Sequence, residues 1–388
     1  MTARIGIIGC GGRMLHLLRR VPGLGRDIEV AALCDPDPRS IRAGLEELNP
    51  RARVYSDHRE LSADPSLSWV FIGSWNCFHS EQAVVALEAG KNVFCEKPLA
   101  TSLLGARAIR DAHRRHPGIF CIGFTLRYSS TYRKIKEVLD SGAIGRVVSM
   151  EFNETLHFDH GSHIHGNWRR LRANTGSHLL EKCCHDMDLA LWMVGSLPAR
   201  VASFGGLNFF RPENASWPER LGKAPDGRRA FSSPWSDLVA LDPFTSDKDI
   251  VDNQVAILEF ANGARATFHT NCATNLWERR MYLCCSAGTL RADLTSGLVE
   301  IARFGYGVPA ETWTGSAGGH GGGDEVLGAE LARAILEGVR PPTTLEHGLA
   351  SAITCFGIDE AKDRGCVVDM DPLWSAVGMS EIADLKAI

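Results

Sequence analysis

The sequence predicts an α/β protein: an N-terminal doubly wound parallel sheet, followed by an α+β domain with a large, open, mostly antiparallel sheet. Short apolar strands alternate with amphipathic helices up to residue 124. Beyond that point, runs of alternating apolar and polar residues follow one another without helices between them. A chain of 388 residues is long enough for two such domains, because one core rarely grows past about 250–300 residues.

Composition limits the class of protein. The net charge of −4 and pI near 6.4 give no basic surface for nucleic acid. No run approaches the ~18 apolar residues of a membrane span, and the first residues do not resemble a secretion signal. The twelve cysteines have no CxxC spacing, so we expect no metal site. Because no secretion signal is recognised, we expect reduced thiols in a cytoplasmic protein. We predict domains at 1–124 and 125–388, with helix 344–361 packing back on the first.

A glycine-rich turn follows the first strand. Residues 4–8 are apolar and lead through Gly9, Gly11 and Gly12 into Arg13, Met14 and a helix pattern. This strand–turn–helix order is typical of a Rossmann domain, in which glycines let the backbone approach a dinucleotide pyrophosphate at the helix N-terminus. Met14 stands at the third glycine position of the motif, so we expect a slightly displaced helix.

The second strand, 30–33, is followed by Asp35, about 20 residues after the glycines. A carboxylate there accepts the ribose hydroxyls of NAD and opposes the 2′-phosphate of NADP. We therefore predict NAD, although Arg39 is near enough to keep NADP open. The alternative is that Asp35-Pro36-Asp37-Pro38 is only a turn.

The strand at 93–95 ends in Glu96-Lys97-Pro98. Proline has no N–H for the sheet, so it ends the strand and places Lys97 where ligands of open α/β sheets gather. A solvated surface lysine is the alternative interpretation. The preceding strand, 68–73, leads into the loop Ser74-Trp75-Asn76 and His79.

Residues 178–194 form a predicted helix. Glu181, His185 and Asp188 fall on one face, beside an apolar stripe that favours a cleft over open solvent. A solvated face is the alternative. Histidine suits proton transfer at neutral pH, so His185 is the predicted base and Lys97 the cation that stabilises an alkoxide, although the two roles could be exchanged.

The segment 157–172 is rich in histidine and arginine. Its spacing does not compel a metal site, and we predict a sugar-facing loop that includes His165. In it Trp168 would stack on a ring, and Arg169 and Arg170 would grip an anionic substituent. Basic surface residues without a ligand are the alternative. Residues 210–250 read as an ordered lid or interface loop.

Taken together, these motifs resemble the glucose–fructose oxidoreductase/inositol dehydrogenase (Gfo/Idh/MocA-like) family. The resemblance implies homodimers or homotetramers formed through the second sheet, a substrate contact for Tyr128, and catalysis by Lys97, His185 and Glu181, the last at a position where aspartate is usual. It also implies a nicotinamide site lined by Ser74, Asn76, His79, Glu96, Lys97 and Arg127.

The predicted function is NAD-dependent oxidation of a secondary hydroxyl of a sugar, glycoside or cyclitol. The alternative is an NAD-dependent glycosidase that works by transient C3 oxidation, elimination, water addition and re-reduction. An anionic glycoside such as a sulfoquinovoside would suit the arginines. A dinucleotide sensor without catalysis is a third possibility, which the presence of both Lys97 and His185 disfavours.

Overall fold

The computed structural model describes residues 2–235 and 241–380. The strands in chain order are β1 Ala3–Ile8, β2 Ile28–Cys34, β3 Arg53–Tyr55, β4 Trp69–Ile72, β5 Asn92–Cys95, β6 Phe120–Ile122, β7 Val147–His157, β8 Pro198–Gly206, β9 Asn253–Phe260, β10 Arg265–Thr274, β11 Arg280–Cys285, β12 Gly288–Asp293, β13 Leu298–Arg303, β14 Glu311–Thr314 and β15 Val368–Asp369. The α-helices are α1 Gly12–Leu18, α2 Pro38–Glu47, α3 His58–Ala63, α4 His79–Glu88, α5 Leu103–Arg115, α6 Ser130–Asp140, α7 Phe158–His165, α8 Arg172–Thr175, α9 His178–Val194, α10 Trp217–Leu221, α11 Gly323–Glu337, α12 Leu345–Arg364 and α13 Asp371–Ala376.

The described chain forms two compact units. The first extends to Ser130 and includes Gly322–Ala352; the second comprises Thr131–Gly321 and the chain from Ile353 onward. The domain boundary predicted after residue 124, and the return of helix 344–361 to the first domain, remain predictions. Residues 236–240 of the predicted insertion and 381–388 of the predicted second domain lie outside the described residues.

The first unit contains a six-stranded parallel sheet of order β3-β2-β1-β4-β5-β6. All four residues of β4 are buried, as expected for a parallel strand covered on both faces. The strand order reverses between β1 and β4, and ligands of such sheets bind at this switch point, outside the carboxyl ends of the strands. The predicted doubly wound domain is therefore confirmed.

The second unit contains a nine-stranded sheet of order β14-β13-β12-β11-β7-β10-β9-β8-β15. Buried and exposed residues alternate along β9, β10 and β11, because one face of the sheet is covered and the other is open. All neighbouring pairs are antiparallel except β7 and β10, which run parallel. The predicted large, mostly antiparallel sheet is confirmed.

The histidine-rich segment is not the loop that the sequence predicted. Its first half is helix α7, which begins after His157, whose ring Nδ1 accepts a hydrogen bond from the N–H of Asp159 at 3.2 Å. At Gly161 an added Cβ would lie 1.9 Å from the carbonyl oxygen of Cys272 in β10, so the absence of a side chain lets α7 approach the sheet. The loop prediction failed because this close packing is not a local signal.

The insertion after β8 has an apolar core of its own. Phe210, Phe231 and Phe244 are buried there together with Leu156 and Ile164 from β7 and α7. The aromatic rings lie 5.3–6.4 Å apart, the range of favourable edge and offset contacts. This cluster fixes the described part of the insertion against α7.

Candidate functional site

The glycine turn leaves room for a dinucleotide backbone. Gly9 has φ +85°, and a Cβ there would lie 2.3 Å from the backbone nitrogen of Ser74, so only glycine fits. A Cβ built on Gly11 or Gly12 would meet nothing within 4 Å. This open space faces the start of α1, where unpaired N–H groups favour a phosphate. The residues at the turn therefore fit NAD.

Met14 is accommodated by a second glycine. A Cβ on Gly73, at the end of β4, would lie 2.8 Å from the Cε of Met14. Met14 itself is buried in the core of the first unit. A glycine at position 14 would let helix α1 pack closely on the sheet. Here the missing side chain is that of Gly73, which follows β4, and the Met14 side chain occupies the space beside it.

Asp35 connects the glycine turn to the end of β2. Its Oδ2 accepts the N–H of Cys10 at 2.7 Å, and its Oδ1 accepts the N–H of Asp37 at 2.8 Å. Burial raises the pKa of this carboxyl group, while the two backbone N–H groups oppose the rise. The guanidinium of Arg39 is engaged by Asp37, with Nη2 3.0 Å from Oδ2. This arrangement favours NAD over NADP, since the nearest arginine is already paired.

Arg13 lies at the centre of an ion cluster. Its Nε donates to Glu96 Oε1 at 2.8 Å, its Nη1 to Asp324 Oδ1 at 2.6 Å and its Nη2 to Thr125 Oγ1 at 2.8 Å. Burial lowers the pKa of Arg13, but the two carboxylates outweigh that effect and raise it above its ordinary value. The predicted cofactor residue Arg13 therefore fixes Glu96, the residue before Lys97.

Lys97 follows β5 and is partly exposed, and its peptide bond to Pro98 is cis. His79 is buried behind this turn, with Nδ1 2.7 Å from the carbonyl oxygen of Pro98 and Nε2 3.1 Å from that of Ser74. Burial lowers the pKa of His79. His79 thus links the Lys97–Pro98 turn to the loop after β4.

The other predicted residues of the first unit differ in exposure. Asn76 and Arg127 are buried, whereas Trp75 is exposed. Ser74 donates its hydroxyl to Gln82 Oε1 at 2.6 Å. Tyr128, predicted to contact substrate, is buried in the core with its hydroxyl 2.8 Å from Thr343 Oγ1. We therefore leave Tyr128 out of the proposed substrate site.

In the second unit, the predicted helix and the observed helix α9 both span residues 178–194. The Ser177 side chain accepts the N–H of Leu180 and caps its start, and Gly195 with φ +71° ends it. Glu181 and His185 are each 6% exposed, and Asp188 is 1% exposed. The three side chains are therefore buried, which excludes the solvated face considered above.

The predicted arginines are held by carboxylates. Arg169 Nε donates to Glu181 Oε1 at 3.0 Å, and its guanidinium lies 4.3 Å from the ring centroid of Trp168. Arg170 pairs with Asp247 at 3.0 Å. One face of Trp168 is covered, and the charge of both arginines is balanced within the unit.

His165 lies inside the insertion cluster. It is fully buried, and its ring stacks on Phe210 with centroids 4.5 Å apart. Neither ring nitrogen has a hydrogen-bond partner among the described residues. Burial lowers the pKa of His165 well below its ordinary value. We therefore assign His165 to the packing of α7 rather than to the substrate site.

Sequence reasoning missed a buried ion network in the second unit. Arg279 donates to both oxygens of Asp186 at 2.8 and 2.6 Å and lies 2.7 Å from Glu154, which Lys182 approaches at 3.2 Å. Burial raises the pKa of Asp186 to about 6, against the effect of Arg279. No local signal reveals this network, because its members come from β7, α9 and the residue before β11.

The described residues contain neither a metal-binding cluster nor a helix suited to cross a membrane. In residues 2–235 and 241–380, no group of three histidine, cysteine or acidic side chains is arranged to hold a metal ion. Among the helices of the same ranges, none combines the length and apolar composition needed to cross a membrane.

Comparison with known proteins agrees with this geometry. The family model described as an oxidoreductase family with an NAD-binding Rossmann fold matches residues 3–124, and that of the GFO/IDH/MocA C-terminal domain matches residues 132–291. Inositol 2-dehydrogenase of Burkholderia multivorans is 33% identical over 196 residues, which are 50% of this chain and 55% of that protein. The chain therefore spans about half the length of the curated relatives it matches.

Solved structures share the fold. Levoglucosan dehydrogenase in complex with NADH superposes with a TM-score of 0.77 at 19% identity, covering 95% of this chain and 99% of that one. Myo-inositol 2-dehydrogenase from Lactobacillus plantarum gives 0.70 at 20% identity, with the same coverage. With the glycine turn, the Glu96-Lys97-Pro98 element and both family models in agreement, the chain belongs to the GFO/IDH/MocA family of NAD-binding oxidoreductases.

Proposed function

We propose that this protein is an NAD-dependent dehydrogenase of a secondary hydroxyl group in a neutral sugar, glycoside or cyclitol. The observation that carries the proposal is the pairing, within the first unit, of an open glycine turn with a lysine that follows β5. Such an arrangement suits a cofactor whose pyrophosphate lies at the turn and whose nicotinamide lies near the strand ends. The names of the relatives point to the same substrate class.

We assign Lys97 and His185 to the same substrate hydroxyl. Bound NAD would supply the acceptor for the hydride that leaves the carbinol carbon. His185 takes the hydroxyl proton, and the ammonium group of Lys97 stabilises the negative charge that develops on the oxygen. The two roles could be exchanged. Glu181 lies one helical turn before His185 and is held by Arg169, so we propose that it orients the site.

The charges of the second unit favour a neutral substrate. The three arginines between residues 169 and 172 and a neighbouring lysine are paired with acids within the same unit. The pairs are Arg169–Glu181, Arg170–Asp247, Arg172–Asp363 and Lys182–Glu154. An anionic glycoside would have to compete with these carboxylates, and no observation favours the glycosidase alternative.

We also propose a cytoplasmic homodimer or homotetramer. All twelve cysteines are free thiols, as expected in a reducing compartment. On the open face of the second sheet, Phe204 is paired with Val255 across two strands, and Ile257 follows on the same face. All three are exposed, and an apolar patch of this kind is typical of a subunit interface.

The test is a screen of neutral cyclitols and pyranosides, among them myo-inositol and levoglucosan, with NAD and NADP. We expect NADH and an equal amount of ketone. Release of an aglycone without formation of NADH would support the glycosidase alternative instead of the dehydrogenase. If neither NADH nor a free aglycone forms with any of the substrates, the proposal is wrong.

A further inference from the structure

A half-exposed tryptophan stands beside two histidines in the second unit. Trp235 is 51% exposed, and its ring centroid lies 4.8 Å from that of His160 and 4.9 Å from that of His163. Both histidine rings meet the indole at steep angles of 76° and 70°. We call Trp235, His160 and His163 the Trp235 corner.

The backbone that presents Trp235 is fixed at one end by Phe231. Phe231 has φ +57°, a left-handed conformation that is unfavourable for a residue other than glycine. Its side chain is buried, with its ring 4.6 Å from that of Phe158. Its N–H donates to Asp159 Oδ1 at 3.0 Å. Packing and hydrogen bonding hold this unfavourable conformation in place, as is common at binding sites.

Ser233 connects the corner to helix α7. Its Oγ accepts the N–H of Trp235 at 3.1 Å and lies 2.9 Å from His163 Nδ1. The Ser233 hydroxyl therefore holds the backbone of Trp235 and connects it to helix α7 through His163.

A continuous chain of contacts leads from the corner to α9. His163 Nε2 lies 3.3 Å from Arg169 Nη1, and Arg169 Nε donates to Glu181 at 3.0 Å. Glu181 precedes His185 by one helical turn. The Trp235 corner is thus connected to Glu181 through two successive side-chain contacts, His163–Arg169 and Arg169–Glu181.

The corner offers an indole face for stacking and histidine nitrogens for hydrogen bonding. Burial, together with Lys182 and His163, lowers the pKa of His160 well below its ordinary value, so the His160 ring is neutral near pH 7. The nearby cations Lys182 and Arg169 are paired with Glu154 and Glu181. An indole face with imidazole hydrogen-bonding groups beside it suits the C–H face and hydroxyls of an uncharged ring.

We propose that the Trp235 corner binds a second ring of the substrate, the sugar or aromatic aglycone of a neutral glycoside whose first ring reacts near His185. This inference rests on the proposed function, because it places the reacting ring. It gives Trp235 the stacking role that the sequence analysis assigned to Trp168, whose ring is covered on one face by Arg169. The substrate class is then a glycoside rather than a free sugar or cyclitol.

The test measures the affinity gained from the second ring. Methyl and 4-nitrophenyl β-D-pyranosides of the gluco, galacto, manno and xylo series are titrated calorimetrically into the full chain with NADH present. In at least one series, we expect the 4-nitrophenyl compound to bind about tenfold more tightly than its methyl partner. Trp235→Ala should remove this gain and leave the methyl glycoside within about twofold, while Trp235→Phe should keep most of it.

Trp277 provides the matched control, because it is 47% exposed and lies in the turn before β11. Trp277→Ala should leave the gain unchanged. The proposal is wrong if no series shows the gain, or if the gain survives Trp235→Ala. NADH formation is measured separately with the methyl glycosides. If they are oxidised but the second ring adds no affinity, only the proposal for the Trp235 corner is wrong. If the second ring adds affinity that depends on Trp235 but no NADH forms, the corner proposal stands and the proposed dehydrogenase activity is wrong.

Discussion

Arg13 Nε lies 2.8 Å from Glu96 Oε1, so the first turn of the helix after the glycine loop holds the residue that precedes Lys97. An added Cβ on Gly123 would lie 2.9 Å from Glu96 Oε2, which shows how closely the carboxylate fits its surroundings. Asp324, from the start of α11, binds the other side of Arg13. The cofactor turn and the end of β5 are therefore connected by one guanidinium.

We predict that Arg13→Met destabilises the protein by about 1–3 kcal/mol, because it removes the guanidinium that pairs with the buried carboxylates of Glu96 and Asp324. It should also weaken NADH binding and lower kcat, whereas Arg13→Lys should recover part of both. Urea unfolding and NADH fluorescence measure these effects. Arg39→Met, at an exposed ion pair, serves as the control and should change stability by less than about 1 kcal/mol. Unchanged stability and NADH affinity in Arg13→Met would remove this role for Arg13.

Asp35 should determine the choice of cofactor. Asp35→Ser removes the acceptor at the end of β2, so we expect affinity for NAD to fall and the ratio of NADP to NAD affinity to rise by about tenfold or more. Fluorescence titration with the reduced cofactors measures the ratio. Asp57→Ser is the matched control, since Asp57 accepts the N–H of Arg59, two residues on, at 2.8 Å, as Asp35 accepts that of Asp37. If Asp35→Ser leaves the ratio of NADP to NAD affinity unchanged, a group other than Asp35 binds the ribose hydroxyls.

His165 should make the second unit sensitive to acid. Burial first, and then His178 and Lys248, hold the pKa of His165 below that of an unfolded histidine. The neutral ring therefore stabilises the fold fully above about pH 6.5, and this contribution is lost as pH falls, at up to about 1.4 kcal/mol per pH unit. His165→Phe should flatten the dependence of the unfolding free energy between pH 7.5 and about 5. His269 is exposed, so His269→Gln should leave the pH dependence of the unfolding free energy unchanged. If His165→Phe also leaves that pH dependence unchanged, His165 is not the group responsible for the acid sensitivity.

The open face of the second sheet should carry the subunit contact. Ile257→Glu places a charge between apolar neighbours, so we expect light scattering to show a shift toward monomers. Val54→Glu is the control, because Val54 is equally exposed but lies in β3 of the first unit. A wild-type monomer, or an oligomer indifferent to Ile257→Glu, would exclude this face.

Local signals explain which parts were predictable. Helix 178–194 was predicted with its observed bounds because the pattern between the Ser177 cap and Gly195 is self-contained. The strands of the first unit other than β3 are short apolar runs between turn residues, and they too were predicted, whereas the three-residue edge strand β3 was missed. In contrast, the parallel pairing of β7 with β10 joins residues more than 100 positions apart, which no local pattern encodes.

The candidate site was predictable in its residue types and less so in its contacts. Asp35 and Glu96 follow from motif spacing, but the contact between Arg13 and Asp324 spans 311 residues and has no sequence signature. The role first assigned to Trp168 and His165 depended on treating 157–172 as a loop. Helix α7 and the Phe210 cluster give those side chains other partners.

The most direct test of the account compares Lys97→Met, His185→Asn and the double variant, all with unchanged folding and NADH binding. If both groups act on one hydroxyl, each single change should lower the rate of NADH formation by about 10²–10⁴-fold. The double variant should then be no more than about tenfold slower than the slower single variant, because groups that act as a unit are not additive. Wild-type turnover in either single variant, or losses that multiply in the double variant, would contradict the account.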